Sequence, residues 1–197
     1  MTQIKTRTKL VDVARQLFAK NGLDNTTMNE IAQASGKGRR TLYTYFKNKE
    51  DIYFAVIEEE MDRLSEKMKL VSQKYMEPED KLVELIYTHL DLIKEAVRRN
   101  GNLRAEFFRN IVRVQQVRKN FDRKEIECLK SVLTEGIRSG RFEVDNVDLY
   151  ADIIHFCVKG LEIPYIYGRL GKEMPSGMKR SIVQRLVHRA LSKTNII

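Results

Sequence analysis

The chain has 197 residues, 42% of them hydrophobic and 32% charged, with a net charge of +9 at pH 7. That composition reads as soluble and globular, long enough for one sizeable core or for a small domain joined to a larger one. No run of about 18 apolar residues is present, which excludes a membrane-spanning helix.

The positive excess is unevenly placed. Residues 1–50 hold 10 Lys/Arg against 4 Asp/Glu, whereas residues 51–197 hold 26 against 23. The asymmetry points to a polyanion partner at the N-terminal end, and on charge alone both nucleic acid and an acidic membrane surface stay open. The opening MTQIKTRTKL lacks the apolar stretch of a secretory signal. Two cysteines, Cys128 and Cys157, fit a reducing compartment. A cytoplasmic location is therefore expected. The cysteines read as small buried thiols, with a regulatory disulfide as the alternative.

Helical periodicity runs along almost the whole sequence, and no alternating strand pattern persists over more than a few positions. The first helix is expected over about residues 5–20, with Leu10, Ala14, Leu17 and Phe18 forming one stripe and Gly22 ending it. Thr27 and Glu30 match a T-x-x-E capping box, opening a helix of about two turns that turns Met28, Ile31 and Ala32 inward. Gly36 and Gly38 bracket a turn. A third helix, about residues 39–46, buries Leu42 and Phe46, and Asn48 caps a long fourth helix reaching about Tyr75. Pro78 opens the fifth, which Asn100-Gly101-Asn102 breaks. Further helices are expected over about 103–112, 118–139, 147–167 and 177–193, making about nine in all. Pro164 is expected to kink or end the eighth near Glu162 and Ile163.

Residues 27–46 thus form helix, short turn, helix, with an earlier helix free to pack across both: a helix-turn-helix. The segment GKGRRTLYTYFKNKE holds Lys37, Arg39, Arg40, Lys47 and Lys49 beside Tyr43 and Tyr45. Such a second helix is slim enough for the major groove, and Lys37, Gly38, Arg39, Arg40 and Thr41 stand at the end where base edges are met. Thr26 and Thr27 could donate hydroxyls to phosphate at a helix N-terminus, Tyr43, Thr44 and Tyr45 could reach the backbone, and Lys47 and Lys49 follow as phosphate clamps. A merely solvated basic face is the competing explanation.

The stretch TTMNEIAQASGKGRRTLYTYFKNKEDI resembles the N-terminal signature of TetR-family transcriptional regulators. The matching pieces are Thr26-Thr27, Glu30-Ile31-Ala32, Gly36, Thr41-Leu42-Tyr43, Tyr45-Phe46 and Lys47-Asn48-Lys49-Glu50. The chain departs from it at Lys37, where the family carries an apolar residue, at Gly38, where it carries serine, and at Arg40, where a small residue is common. These basic additions favour contacts to guanine edges.

The resemblance implies an all-α protein: a three-helix DNA-binding domain over residues 1–48, then a larger effector-binding and dimerisation domain over residues 49–197. It implies a non-enzymatic, sequence-specific regulator, with repression the family's usual mode, whose partners are double-stranded palindromic DNA, a small-molecule effector and a second copy of the chain. No cofactor, metal or membrane is called for. Helix four, linking the two domains, is the natural lever. Bulky residues suited to an effector cavity are Met61, Leu64, Met68, Tyr87, Phe107, Phe108, Ile111, Phe156 and Tyr165, with His155 as the polar candidate. Stripes of Ile153, Cys157 and Leu161, and of Ile182, Val183, Leu186 and Val187, suit a four-helix dimer interface; a monomer core is the other use for them. His89, His155 and His188 show no metal-ligand spacing. A DNA-binding protein controlled by a protein partner instead of a ligand is the alternative function.

Overall fold

The computed structural model describes residues 2–99 and 111–192, and the side chains of residues 4–99 and 118–192. Among these residues the regular structure is helical: α1 Thr2–Asn21, α2 Met28–Ala34, α3 Arg39–Tyr45, α4 Lys49–Ser72, α5 Pro78–Arg99, α6 Ile111–Arg138, α7 Val147–Ile166 and α8 Ser176–Leu191. The short helix expected over about 103–112 falls mostly outside the described residues. The helix expected from about 118 begins earlier, at Ile111. A single antiparallel bridge, Phe142 to Ser192, is the only strand-like pairing among the described residues.

The helix ends obey their local chemistry. Thr27 and Glu30 do form the reciprocal capping box: Thr27 N–H donates to Glu30 Oε2 at 2.7 Å, and Glu30 N–H donates to Thr27 Oγ1 at 3.2 Å. At the head of α4, Asn48 caps through Asp51 N–H, which donates to Asn48 Oδ1 at 2.8 Å, while Asp51 Oδ2 accepts from the N–H of the preceding Lys47 at 3.0 Å. Asn146 accepts from Leu149 N–H at 3.0 Å to start α7. Gly22 ends α1 at φ 85°, a conformation costly for any residue with a Cβ.

Pro164 neither ends α7 nor stops it at Glu162: the helix continues to Ile166. Proline removes only its own donor, and the following turn stays bonded, with Tyr167 N–H donating to Ile163 O at 3.1 Å and Arg169 N–H to Pro164 O at 2.8 Å.

The chain divides into two compact units: Met1–Asp62 with Glu95–Lys119, and Arg63–Lys94 with Asn120–Ile197. In the first, Leu10, Ala14 and Phe18 of α1 are fully buried together with Ile31, Leu42 and Ile52; Phe18 meets Tyr53 edge-on at 6.5 Å. Leu17, expected on the same stripe, is only half-buried. In the second, the core draws on Leu64, Met68, Leu82, Leu85, Ile93, Phe121, Leu129, Leu133 and Val158. Phe142 lies directly on Gly136, where there is no room for a Cβ.

Candidate functional site

The recognition surface is built by burial on one side of α3 and exposure on the other. Leu42 is fully buried and Phe46 nearly so, which anchors the helix through i, i+4 positions and turns Arg39, Arg40, Tyr43 and Thr44 to solvent. Tyr43 keeps 46% of its surface exposed. The turn before α3 is tight: Gly36 takes φ 65°, and Lys37 N–H returns to Ala32 O at 3.0 Å. Gly38 caps α3 with extended backbone and no side-chain bond, so the first N–H groups of the helix are left for an outside acceptor. Among the described residues, no carboxylate pairs with Lys37, Arg39, Arg40 or Lys47. Four cations without counter-charge, on α3 and the turns that flank it, suit this segment to phosphate. Thr41 and Tyr45 are half-buried beside them.

Three expected DNA contacts are otherwise engaged. Thr26 is 1% exposed and its hydroxyl donates inward to Gly22 O at 2.8 Å. Thr27 is exposed, but its hydroxyl is committed to the capping box and donates to Glu30 Oε2 at 2.9 Å. Those bonds to the Thr27 N–H first, and to its hydroxyl second, hold the Glu30 carboxyl below its ordinary range. Lys49 Nζ donates to the carbonyls of Leu23 and Asp24 at 2.9 and 3.0 Å, so it straps the α1–α2 loop to the head of α4 rather than waiting free for phosphate.

A buried carboxylate that sequence reasoning missed lies in the same unit. Glu60 of α4 is 2% exposed and accepts from Arg99 Nη2 at 2.7 Å and from Arg15 Nη1 at 3.5 Å. It therefore joins α1, which backs the helix-turn-helix, to the C-terminal end of α5. The only signal was an Arg15 on α1 between the apolar positions Ala14 and Phe18.

The second unit holds a buried polar network. His89 presents Nδ1 to Glu125 Oε1 at 2.5 Å and Nε2 to Glu162 Oε1 at 3.0 Å, and His155 Nδ1 meets Glu125 Oε2 at 2.6 Å. All four side chains are at most 6% exposed. A carboxylate on each ring nitrogen requires both to donate, which only the imidazolium does. Burial by itself pushes the His89 imidazole down; the hydrogen bonds and charges of Glu125 and Glu162 outweigh it and raise it to about 9. Burial likewise pushes Glu125 up, but the two imidazoles win and hold it below its ordinary value. The signal was present: Glu125 falls on the stripe of Phe121 and Leu129, and Glu162 on that of Ala151, His155 and Val158. His155 was expected as an effector contact, and here it is a network member. Among the described residues no cluster could hold a metal ion.

The expected effector residues separate. Met61, Leu64 and Met68 are core, at most 4% exposed. Phe156 is 65% exposed and faces solvent, not a cavity. Phe107 and Phe108 lie outside the described residues, as does the side chain of Ile111. Tyr87 and Tyr165 do line a cavity, a cleft of about 210 Å³ between α5, α7 and α8. Leu161, Ile182 and Val183, expected at a dimer interface, line that same cleft. On the outer faces, Ile153 is 52% and Leu186 62% exposed, with Leu149 at 54% and Met178 at 52%. Val187 is half-buried. Cys157 is exposed beside this apolar face and Cys128 is half-buried, so the pair are not two buried thiols.

Comparison with known proteins places this architecture. Residues 10–56 match the model of bacterial regulatory proteins, tetR family, and residues 60–183 match that of the QacR-like protein C-terminal region. The chain is similar to the fatty acid metabolism regulator protein of Bacillus subtilis, 28% identical over 139 residues covering 68% of this chain and 70% of that one. It is similar to the transcriptional regulator QacR of Staphylococcus aureus, 26% identical over 156 residues covering 78% and 82%. Among solved structures, the Bacillus subtilis regulator FadR in complex with stearoyl-CoA superposes with a TM-score of 0.63 at 23% identity, covering 91% of this chain and 96% of that one. A transcriptional regulator from Cytophaga hutchinsonii superposes at 0.69 with 22% identity, covering 93% and 97%.

Proposed function

The chain belongs to the TetR family of bacterial regulatory proteins, and on that premise we propose that it is a sequence-specific repressor that leaves palindromic operator DNA when a small molecule binds its C-terminal domain. The observation that carries the reading is the exposed, uncompensated basic edge of α3, held outward by buried Leu42 and Phe46. In this reading Arg39 and Arg40 meet base edges, while Lys37, Lys47, Tyr43, Thr44 and the free N–H groups at Gly38 meet phosphate. The exposed apolar faces of α7 and α8 pair with those of a second copy under twofold symmetry. The dimer then sets two reading heads about 34–36 Å apart, one turn of DNA. The reading head ends near residue 48 and the effector and dimer domain follows. Catalysis has no part in this role, and its place of action is the cytoplasm, where the DNA is.

Release is a population shift. The effector must favour the state in which the heads do not match DNA spacing, and DNA must then weaken effector binding by the same factor. Helix α4 runs through both compact units, and Glu60 on it ties α1 to α5, which supports α4 as the lever. Stearoyl-CoA, carried by the Bacillus subtilis FadR structure, is the first probe to test. A compound that binds the protein stoichiometrically and lowers its affinity for a selected duplex supports the scheme. A compound that saturates the C-terminal domain and leaves DNA affinity unchanged contradicts it.

A further inference from the structure

We propose that the cleft between α5, α7 and α8 is a binding site for an unbranched aliphatic carboxylate, and that its occupancy sets the spacing of α7 and α8. The proposal deepens the repressor reading and rests on it for its regulatory consequence. Three observations carry it.

The first is chemistry. The walls are almost wholly apolar, made by side chains such as Leu90, Leu161, Met174 and Ile182, and Lys179 is the one charged residue that lines the cleft. Among the described residues no carboxylate pairs with Lys179. A lone ammonium at the edge of a greasy slot selects a ligand with an apolar body and one negative end.

The second is size. At about 210 Å³ the cleft falls below the roughly 300–1,000 Å³ of pockets that take drug-sized ligands. A single alkyl chain of medium length fits that space, whereas a large polycyclic ligand does not.

The third is the rim. Tyr165 donates its hydroxyl to Asp91 Oδ1 at 2.5 Å, and Lys94 Nζ stands 5.2 Å over the Tyr165 ring. Burial first, and the Asp91 contact second, push the Tyr165 phenol well above its ordinary value, so it stays neutral. Arg180 stacks at 5.2 Å on Tyr87 while pairing with Glu84 at 2.6 Å. Both tyrosines are thereby pinned as walls, and Asp91 is already occupied. Positive charge from Lys94, Lys179 and Arg180 surrounds the cleft, against the engaged Asp91 and Glu84.

The consequence follows from placement. The inner faces of α7 and α8 line the cleft, and their outer faces carry exposed Ile153, Phe156, Met178 and Leu186. A chain inserted between the two helices shifts the same surfaces that the dimer uses.

The test is calorimetric titration of the full-length protein with decanoate, kept below its micelle concentration, and with decyltrimethylammonium as the charge-reversed control. The expected result is one decanoate per protomer, with the cationic analogue at least about tenfold weaker. Val183→Trp and the milder Leu161→Phe fill the cleft and should abolish binding while leaving the helical circular dichroism and cooperative melting of the protein unchanged, which shows that the fold is kept. Lys179→Gln should weaken decanoate about fivefold and leave decanol unaffected. Absence of decanoate binding, equal binding of the cationic analogue, or wild-type binding by both filling variants would overturn the site. Decanoate binding lost in both filling variants but without effect on DNA affinity would keep the site and overturn its regulatory role. DNA binding of the ligand-free protein tests the repressor reading separately.

Discussion

Replacing Glu125 with Gln should cost the protein a large share of its stability in a pH-dependent manner. Glu125 accepts from His89 at 2.5 Å and from His155 at 2.6 Å, and it is 2% exposed. Raising the His89 imidazole from 6.5 to about 9 corresponds to roughly 3 kcal/mol of favourable interaction with its two carboxylates. Glu125 makes the shorter of those contacts and also holds His155, so Glu125→Gln should lose about 3 kcal/mol, as expected when a buried pair is stripped of one partner. For a chain of this size the midpoint should fall by about 6–12 °C. The His89 contribution is complete below its unfolded value of 6.5 and is lost as pH rises through about 9. The Glu125 contribution is present above its ordinary 4.5 and is lost as pH falls through its lowered folded value. Thermal melts of both proteins followed by circular dichroism from pH 4 to pH 10 read this directly. The gap in midpoint should be widest between about pH 4.5 and pH 6.5, where both contributions are complete, and shrink towards both ends. Equal midpoints at pH 7, or a gap that stays constant up to pH 10, would refute the reasoning.

The strap made by Lys49 separates it from its neighbour. Lys47→Ala should lower the slope of DNA affinity against salt by about one, whereas Lys49→Ala should leave the slope alone and lower the midpoint of thermal unfolding. Gly136→Ala drives a methyl into the Phe142 ring and should destabilise by about 1–3 kcal/mol in urea titrations. Ile153→Lys combined with Leu186→Lys puts charge on both exposed apolar faces; sedimentation should then show a monomer that still melts cooperatively and binds DNA more weakly.

The reading head was the most legible part of the chain. Its elements are short and punctuated by residues with one dominant use: the Thr27–Glu30 box, Gly36 at positive φ, and the Leu42–Phe46 pair. Local chemistry settled them, and the exposure of Arg39, Arg40 and Tyr43 followed from which face Leu42 and Phe46 must bury. What escaped was the commitment of small polar groups. Thr26 and Lys49 look the same in sequence whether they face a phosphate or a backbone carbonyl; the carbonyl lies four positions back for Thr26 and 25 and 26 positions back for Lys49, where only a tertiary contact decides it.

In the C-terminal unit the periodicity located the helices but not their facing. Leu161 and Phe156 sit on one helix, yet the first lines the cleft and the second points to solvent, since stripes of similar width serve either purpose. Glu125 and Glu162 were readable in retrospect as charges on apolar stripes. Reading them as a pair needed His89, 36 residues before Glu125 in sequence, and only packing of three helices brings them together. Pro164 shows the opposite limit: a strong local breaker is tolerated when the turn after it is otherwise bonded.

The most direct measurement of the central claim is selection of bound duplexes from a random pool by the full-length protein, repeated with Arg39→Ala and Arg40→Ala. The account predicts an inverted repeat whose half-sites lie one helical turn apart, with relaxed preference at defined base positions in each variant. Enrichment of no sequence, or an unchanged motif in both variants, would contradict it.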